Sequence, residues 1–170
     1  RFIWLDNGPA TLDITSATGS LTLNPTGGTI GGGGLITKTG AGALTLGGPV
    51  VGGGSTAIAV NGGTLTLNGA NTYPGATTVS KGTLLVNGSH SGGSGYTVAS
   101  GATFGGTGAV ASAVSVAANA KLSPGAAANE GGTLTVGSLT LDTAATLYLD
   151  HPGDTVTVTG NLALGTDTPV

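Results

Sequence analysis

Residues 63–124 read GTLTLNGANTYPGATTVSKGTLLVNGSHSGGSGYTVASGATFGGTGAVASAVSVAANAKLSP. Short alternations of threonine or alanine with larger apolar residues recur here, most of them after a glycine and most ending in glycine, asparagine or proline. Counted from just upstream, the first large apolar residue of each alternation is Leu44, Leu65, Leu84, Phe104 and Leu122, at intervals of 21, 19, 20 and 18 residues. A near-constant period of this kind is typical of a solenoid, in which a single repeat cannot bury its apolar face alone.

The alternation also predicts how each repeat folds. Leu65 and Leu67 point to one side of an extended strand, and the threonines beside them point to the other. Strands with one apolar face and one hydroxyl-rich face are typical of coils stacked around a narrow apolar core. Because parallel crossovers are nearly always right-handed, the sequence predicts an all-β fold, a right-handed parallel β-helix. With strands about 4.8 Å apart, roughly eight coils of about 20 residues would make a rod roughly 40 Å long.

Composition excludes several classes of function. Charged residues make up 6% of the 170 residues and the net charge is −3. The four basic residues, Arg1, Lys38, Lys81 and Lys121, are far apart in the sequence, so no basic patch can follow a nucleic-acid backbone. The chain has no cysteine, which excludes disulfides and thiolate chemistry. So low a charge suits a tethered or assembled protein.

The same composition predicts one continuous domain in three parts. These are an N-terminal cap with the first coils (1–34), the solenoid core (35–149) and a C-terminal coil or cap (150–170). Glycine accounts for 35 residues and aromatic residues for 4%, which indicates many short strands joined by tight turns. No run of about 18 apolar residues is present, so no membrane-spanning helix is predicted. The absence of methionine and of a charged leader predicts a processed or excised segment.

The N-terminus holds a cluster of large apolar residues, Arg1-Phe2-Ile3-Trp4-Leu5. An open solenoid end exposes its core and a row of unpaired strand edges. We interpret the cluster either as a cap on that end or as a strand that inserts into a neighbouring molecule. The five residues are therefore the predicted self-association site. Two coil-like runs follow at 10–14 and 20–24, and Leu23 lies 21 residues before Leu44, in step with the main series.

Three asparagines follow strands directly. Asn24, Asn68 and Asn87 come after Leu23, Leu67 and Val86. Asparagines stacked in successive coils can form a ladder of side-chain hydrogen bonds, and asparagine also tolerates positive φ at turns. We expect ladder and turn roles for them, with contacts to sugars as the alternative.

Residues 35–46 read LITKTGAGALTL, and Gly69-Ala-Asn-Thr-Tyr-Pro-Gly75, Thr77-Thr-Val79 and Lys81–Val86 follow. Together these segments resemble the autotransporter-associated β-strand repeat, also called the passenger-associated transport repeat, whose pattern is roughly LxKxGxGxLxLxGxNxYxGxTxVxxGxLxV. The resemblance extends over about residues 35 to 165. It implies a β-helix at the bacterial surface and a role in passenger folding and secretion.

Two segments depart from the family pattern: the N-terminus does not match it, and residues 48–68 are inserted into it. Residues 48–68 separate the LxL segment from GxNxY, and the Leu44 to Leu65 interval of 21 predicts that they form one whole extra coil. The strands of residues 126–170 come more densely, at spacings of about 12 or 13, which predicts a changed coil outline.

No catalytic site is predicted. Glycosidases need two carboxylates about 5 to 9.5 Å apart, but residues 14–129 contain no acidic residue. The cluster Asp150-His151-Pro152-Gly153-Asp154 could hold a metal, although a solvated turn explains it equally simply. We therefore predict a non-enzyme with no catalytic residues, no metal and no cofactor. His90 is expected in an exposed loop, while Tyr73, Tyr96 and Tyr148 are expected in core or turn packing.

Two functions remain. The first is an extracellular structural rod or fibre subunit that self-associates end to end through its strand edges, as a homo-polymer or homo-oligomer. The second is an autotransporter-type surface passenger or adhesin segment that displays loops 49–55 and 89–95 to glycans or cells. Both place the protein outside the cell, at the bacterial surface.

Overall fold

The computed structural model describes residues 2–5, 8–125 and 130–165, and every regular element in them is a β-strand. Arg1 of the predicted N-terminal cluster lies outside the described residues. The strands are β1 Phe2–Trp4, β2 Ala10–Asp13, β3 Ser20–Leu23, β4 Thr29–Gly32, β5 Leu35–Thr39, β6 Ala43–Leu46, β7 Val50–Gly52, β8 Ala57–Leu67, β9 Ala70–Asn71, β10 Thr77–Val86, β11 Ser89–His90, β12 Tyr96–Val98, β13 Thr103–Gly106, β14 Ala109–Val116, β15 Lys121–Pro124, β16 Thr133–Leu141, β17 Thr146–Leu147, β18 Thr155–Val158 and β19 Leu162–Leu164.

Parallel pairing arranges these strands on three faces. Face 1 consists of β1, β4, β7, β9, β11, the first parts of β14 and β16, and β18. Face 2 consists of β2, β5, the first parts of β8 and β10, β12, the later parts of β14 and β16, and β19. Face 3 consists of β3, β6, the later parts of β8 and β10, β13, β15 and β17. The chain visits the faces in the order 1, 2, 3 and then repeats.

One circuit of the three faces is one coil. The described residues form about seven turns, with two strands of a further coil after them. The predicted parallel β-helix is therefore confirmed. In chain order the coils are coil 1 (2–23), coil 2 (29–46), coil 3 (50–67), coil 4 (70–86), coil 5 (89–106), coil 6 (109–124) and coil 7 (133–147).

The apolar series that predicted the repeat is one column of face 3. Leu44 pairs with Leu65, Leu65 with Leu84, Leu84 with Phe104, and Phe104 with Leu122. The prediction was wrong at its N-terminal extension, because Leu44 pairs with Leu21 and not with Leu23. The interval from Leu21 to Leu44 is longer than the predicted period, since a turn closed by the Gly28 N–H to the Pro25 carbonyl (3.1 Å) adds residues between β3 on face 3 and β4 on face 1.

Alternate residues on each face point inward and form the core. Ile30, Leu44, Val60, Leu84 and Phe104 have no exposed surface, while threonines such as Thr66 lie half-exposed on the outside. The predicted extra coil is present, since residues 48–68 contain one strand of each face in register with the coils before and after. The core thus runs along the axis without a break.

Candidate functional site

The N-terminal edge is β1, which pairs in parallel with β4 of the same chain. Ile3 pairs with the fully buried Ile30 and packs against the core, as does Leu5. Phe2 and Trp4 point the other way and are 79% and 62% exposed. The Trp4 ring lies over Gly31, where a Cβ would be 2.8 Å from it. Of the four described residues of the predicted cap, Ile3 and Leu5 cover the core, whereas Phe2 and Trp4 do not.

The C-terminal edge exposes side chains that occupy core positions elsewhere. Leu162 and Leu164 of β19 pair with Leu139 and Leu141 on face 2. Leu139 is 3% exposed, but Leu162 and Leu164 are 56% and 63% exposed. Their outer sides are open because no strand of the described residues stacks on β19. This end therefore presents an apolar surface beside unpaired backbone groups.

The three asparagines of the predicted ladder occupy one corner of the solenoid. Asn68 and Asn87 lie in neighbouring coils, since each follows a strand end that pairs with the other, Leu67 with Val86. Gly47, which follows Leu46, separates Asn24 from Asn68. The Asn87 side chain accepts a hydrogen bond from the Thr107 N–H at 3.3 Å. The structure thus brings two of the three together and leaves the ladder itself a prediction.

A different asparagine joins three coils. Asn71, 1% exposed, accepts a hydrogen bond from the Val50 N–H of coil 3 at 2.9 Å. Its amide nitrogen donates to the Gly69 carbonyl at 2.9 Å and to the Ser89 carbonyl of coil 5 at 3.1 Å. Asn71 thus links β7, the last strand of the sheet β1-β4-β7, to β9 and β11, which pair with each other through their backbones.

Next to Asn71 lies a buried polar cluster at the corner between faces 1 and 2. We define it as Tyr73, Thr77, His90 and Tyr96, none more than 2% exposed. The His90 Nε2–H donates a hydrogen bond to the Tyr73 carbonyl at 2.9 Å. In the neutral ring Nδ1 is then an acceptor, and it accepts a hydrogen bond from the Tyr96 hydroxyl at 2.7 Å. The Tyr73 hydroxyl lies 2.7 Å from that of Thr77 and 3.4 Å from that of Tyr96. The expectation that His90 lies in an exposed loop was wrong.

The rings of the cluster pack as well as bond. His90 stacks on Tyr73 with ring centroids 4.0 Å apart, and Tyr96 meets both His90 (5.7 Å) and Phe104 (5.2 Å). Burial lowers the pKa of His90, against the opposing hydrogen bond to the Tyr73 carbonyl. Burial raises the pKa of Tyr73 and raises that of Tyr96 well above its usual value. All three side chains are therefore neutral at pH 7, in keeping with their burial.

Lys38 is the buried cation of face 2. Its side chain has no exposed surface, and Nζ donates to the carbonyls of Thr39 (2.6 Å), Gly40 (3.0 Å) and Gly62 (3.2 Å). Burial lowers the pKa of Lys38, and the charge of Asp13 opposes that shift. The ammonium thus links coil 2 to coil 3 at the corner between faces 2 and 3.

The cluster at 150–154 is a turn organised by one carboxylate. Asp154 accepts the N–H groups of Gly132 (3.2 Å), Asp150 (2.9 Å) and His151 (3.1 Å). Despite desolvation, these backbone hydrogen bonds hold the pKa of Asp154 below its usual value. Within the described residues, no group of three or more histidines, cysteines or acidic residues could hold a metal ion.

The two predicted contact loops are more ordered than expected. Segment 49–55 contains β7, and only Gly53, Gly54 and Ser55 are exposed. Segment 89–95 contains β11 with the buried His90. An open groove of about 270 Å³ lies instead on face 3, where it is lined by Thr64, Thr83, Thr103, Leu85, Lys121 and Tyr148, among others. Tyr148 is 43% exposed, and the Lys121 Nζ lies 4.3 Å from its ring centroid.

A family model for the passenger-associated transport repeat matches residues 36–59 and 60–86. These segments comprise the later part of coil 2 and all of coils 3 and 4. The family model thus matches two adjacent repeats within residues 36–86. No curated protein and no solved structure matches the chain.

The matched repeats contain residues that join one coil to another. Lys38 lies in the first repeat, while Asn71 and Tyr73 lie in the second. Each contacts the following coil, through Gly62, Ser89 and His90 respectively. The match ends at Val86, so the resemblance over residues 87–165 stays a prediction. The part of the chain that the structure describes contains no helix long and apolar enough to cross a membrane.

Sequence reasoning found the strands and expected Tyr73 and Tyr96 in core or turn packing, but it missed the buried Lys38, Asn71 and His90. A signal was available for Lys38, which alternates with Ile36 and so must point inward on the same face. Asn71 and Tyr73 are similarly spaced by two. His90 gave no such signal, because Ser89 and Ser91 surround it with turn-forming residues.

Proposed function

We propose that this chain is a non-enzymatic, rod-like segment of a bacterial surface passenger protein that pairs end to end with a second copy. The transport repeats at 36–86 support the passenger context. The rod follows from the stacked coils and from a core that runs along their axis. Residues 14–129 lack the carboxylates of a glycosidase pair, which supports a role without catalysis.

The observation that carries the pairing is the apolar surface at the C-terminal edge. Leu164 and Leu162 occupy a core column yet are more than half exposed. In water such a surface, beside unpaired strand edges, favours the addition of another coil. Strand addition would satisfy the backbone groups and bury the leucines together.

On faces 1 and 2, the two edges of the described solenoid are complementary in the register of the coils. A second copy stacked in the same sense would place its β1 on β18 and its β2 on β19. Ile3 would then follow Val158 in the face 1 column, and Leu12 would follow Leu164 in the face 2 column. Such a head-to-tail contact does not close on itself, so it produces filaments.

Negative-stain electron microscopy and light scattering over a concentration series test the pairing. We expect short rods at low concentration and longer filaments at high concentration, with an axial repeat of eight strand spacings along faces 1 and 2, roughly 38 Å at about 4.8 Å each. Single rods of constant mass at every concentration would contradict end-to-end pairing. Surface labelling of cells that export the chain as part of a passenger tests the location separately.

A second candidate function is glycan contact by face 3. The groove combines the hydroxyls of Thr64, Thr83 and Thr103 with the exposed ring of Tyr148 and the Lys121 ammonium. Hydroxyls and an aromatic ring suit a neutral sugar chain better than a nucleic acid, which needs several cations. A glycan array that compares the parent chain with Tyr148→Ala tests it. Equal signals from both, or none, would rule out the groove.

A further inference from the structure

His90 is a titratable side chain buried in the middle of the rod. It belongs to β11 in coil 5, and its ring stacks on Tyr73 of coil 4. In the face 1 column its neighbours are Asn71 on one side and Val110 on the other. Gly93 lies over the ring edge, where a Cβ would be only 2.6 Å from Cε1. The imidazole therefore fills its site and is closed off from solvent.

Every polar group that faces His90 is neutral. Tyr73 and Tyr96 face it from the turn after β9 and from β12, Thr77 lies behind Tyr73, and Asn71 faces it from β9. Val110 of β14 is apolar. No acidic residue occurs anywhere between residues 14 and 129. A positive charge on the ring would thus be buried without a counter-charge, which strongly disfavours the folded corner.

We propose that His90 is an acid-sensitive lock between coils 4 and 5, which keeps the corner between faces 1 and 2 closed only while its imidazole is neutral. The lock has a definite geometry. The ring joins the Tyr73 carbonyl of one coil to the Tyr96 hydroxyl of the next strand, through Nε2 and Nδ1. Protonation turns Nδ1 into a donor, so the Tyr96 hydroxyl has to rotate away from its present role.

The direction of the pH effect follows from the two states of His90. In the unfolded corner the imidazole titrates near its usual pKa of about 6.5, and burial lowers the pKa in the folded corner. The open state therefore binds more protons once the pH falls below about 6.5. The corner has its full stability above that pH. The stability is lost as the pH falls toward the pKa that His90 has in the folded corner. Over that range each pH unit lowers the closing equilibrium about tenfold.

Hydrogen exchange of the full chain, read by mass spectrometry, tests the lock. We compare protection factors, corrected for intrinsic exchange, at about pH 7.5 and about pH 5. We expect protection to fall tenfold or more over residues 70–98, while residues 109–124 and 133–141 keep theirs. The acidic residues lie before residue 14 and after residue 129, so their own titration acts on the two ends. A loss spread evenly along the rod, or one that starts at the ends, would overturn the proposal.

Variants at the two histidines separate the lock from general acid sensitivity. His151 is exposed and the chain has two histidines, so His151→Gln should respond to acid like the parent. His90→Gln keeps a donor and an acceptor but cannot titrate, and it should lose the response. If this variant does not fold, an NMR titration of both imidazoles in the parent decides. Titration of His90 in step with His151 would refute the lock.

Discussion

Asn71 shows how a single side chain can join two sheets. On face 1, β9 and β11 pair with each other although they have two residues each, but β7 and β9 belong to different sheets. The Asn71 amide adds a donor and an acceptor that join coils 3, 4 and 5. A buried amide that bonds to three backbone groups fixes the axial register more strictly than apolar packing does.

Replacement of Asn71 by alanine should therefore be costly. The Val50 N–H would lose its acceptor, and the Gly69 and Ser89 carbonyls would each lose a donor, so we expect the free energy of unfolding to fall by about 3 kcal/mol. Asn68→Ala is the matched control, since Asn68 is exposed at the next corner. It should change stability by less than about 0.5 kcal/mol. Urea unfolding followed by circular dichroism measures both.

The same pair of variants tests the asparagine ladder. If Asn24, Asn68 and Asn87 formed a ladder that stabilises the rod, Asn68→Ala would cost as much as Asn71→Ala. An equal loss in the two variants would therefore favour the ladder over the role we assign to Asn71.

At the scale of the element, the corner between faces 2 and 3 repeats a left-handed backbone residue. Gly82 has φ of 83° and Gly101 has φ of 77°. In the following coils the corresponding residues are Asn119 and Ala144, with φ of 61° and 63°. The Gly101 N–H donates to Asn119 and the Asn119 N–H to Ala144, so these residues stack along one line.

Two glycines of this corner should respond differently to substitution. A Cβ on Gly82 would lie 2.3 Å from the Gly63 carbonyl oxygen, whereas a Cβ on Gly101 would meet nothing within 4 Å. We expect Gly82→Asn to reduce the free energy of unfolding by about 3 kcal/mol or more. Gly101→Asn should stay within about 1 kcal/mol of the parent, since asparagine tolerates positive φ. Equal losses on thermal unfolding would show that φ alone, and not the stacked carbonyl, decides.

These elements show how much of the fold and of the buried cluster the sequence predicts. The period of the apolar residues identified the fold and the face 3 column from Leu44 to Leu122, because alternation and coil length are local properties. The pairing of Leu21 with Leu44 was not predictable from a constant period, since turns of different length absorb extra residues. The buried cluster around His90 was also missed. Its partners Tyr73 and Tyr96 lie 17 and 6 residues away, and only the coil brings them together.

At the scale of the whole molecule, residues 48–68 form a removable coil. Deletion of these residues joins Gly47 to Gly69, and Gly69 already stacks directly on Gly48. Ile30 would take the place of Val50 below Asn71, and Leu46 would meet Val86. The core columns would then continue without a shift.

We expect the shortened chain to fold into a rod about 4.8 Å shorter. Its circular dichroism per residue should match that of the parent, and its unfolding should remain cooperative. Deletion of residues 58–67 is the control, because it removes about half a coil and turns inward positions outward. Small-angle scattering measures both lengths. If the two deletions were equally folded, the register of the coils would not be what holds the rod together.

The open ends decide whether the rod stays single. Burial of Leu162 and Leu164 against the first coil of another copy removes apolar surface from water at both ends of the contact. A charge placed there would have to be buried without a partner, so Leu164→Lys should abolish filament growth. Because Leu164 is already 63% exposed in the single rod, the variant should fold with nearly unchanged stability.

Leu35→Lys is the matched control, since Leu35 is 41% exposed on the side of coil 2, away from both ends. Sedimentation velocity at rising concentration should show growth for Leu35→Lys and a constant monomer for Leu164→Lys. Growth by both variants would mean that filaments form through the sides of the rod, and a constant monomer in both would mean that the side of coil 2 takes part.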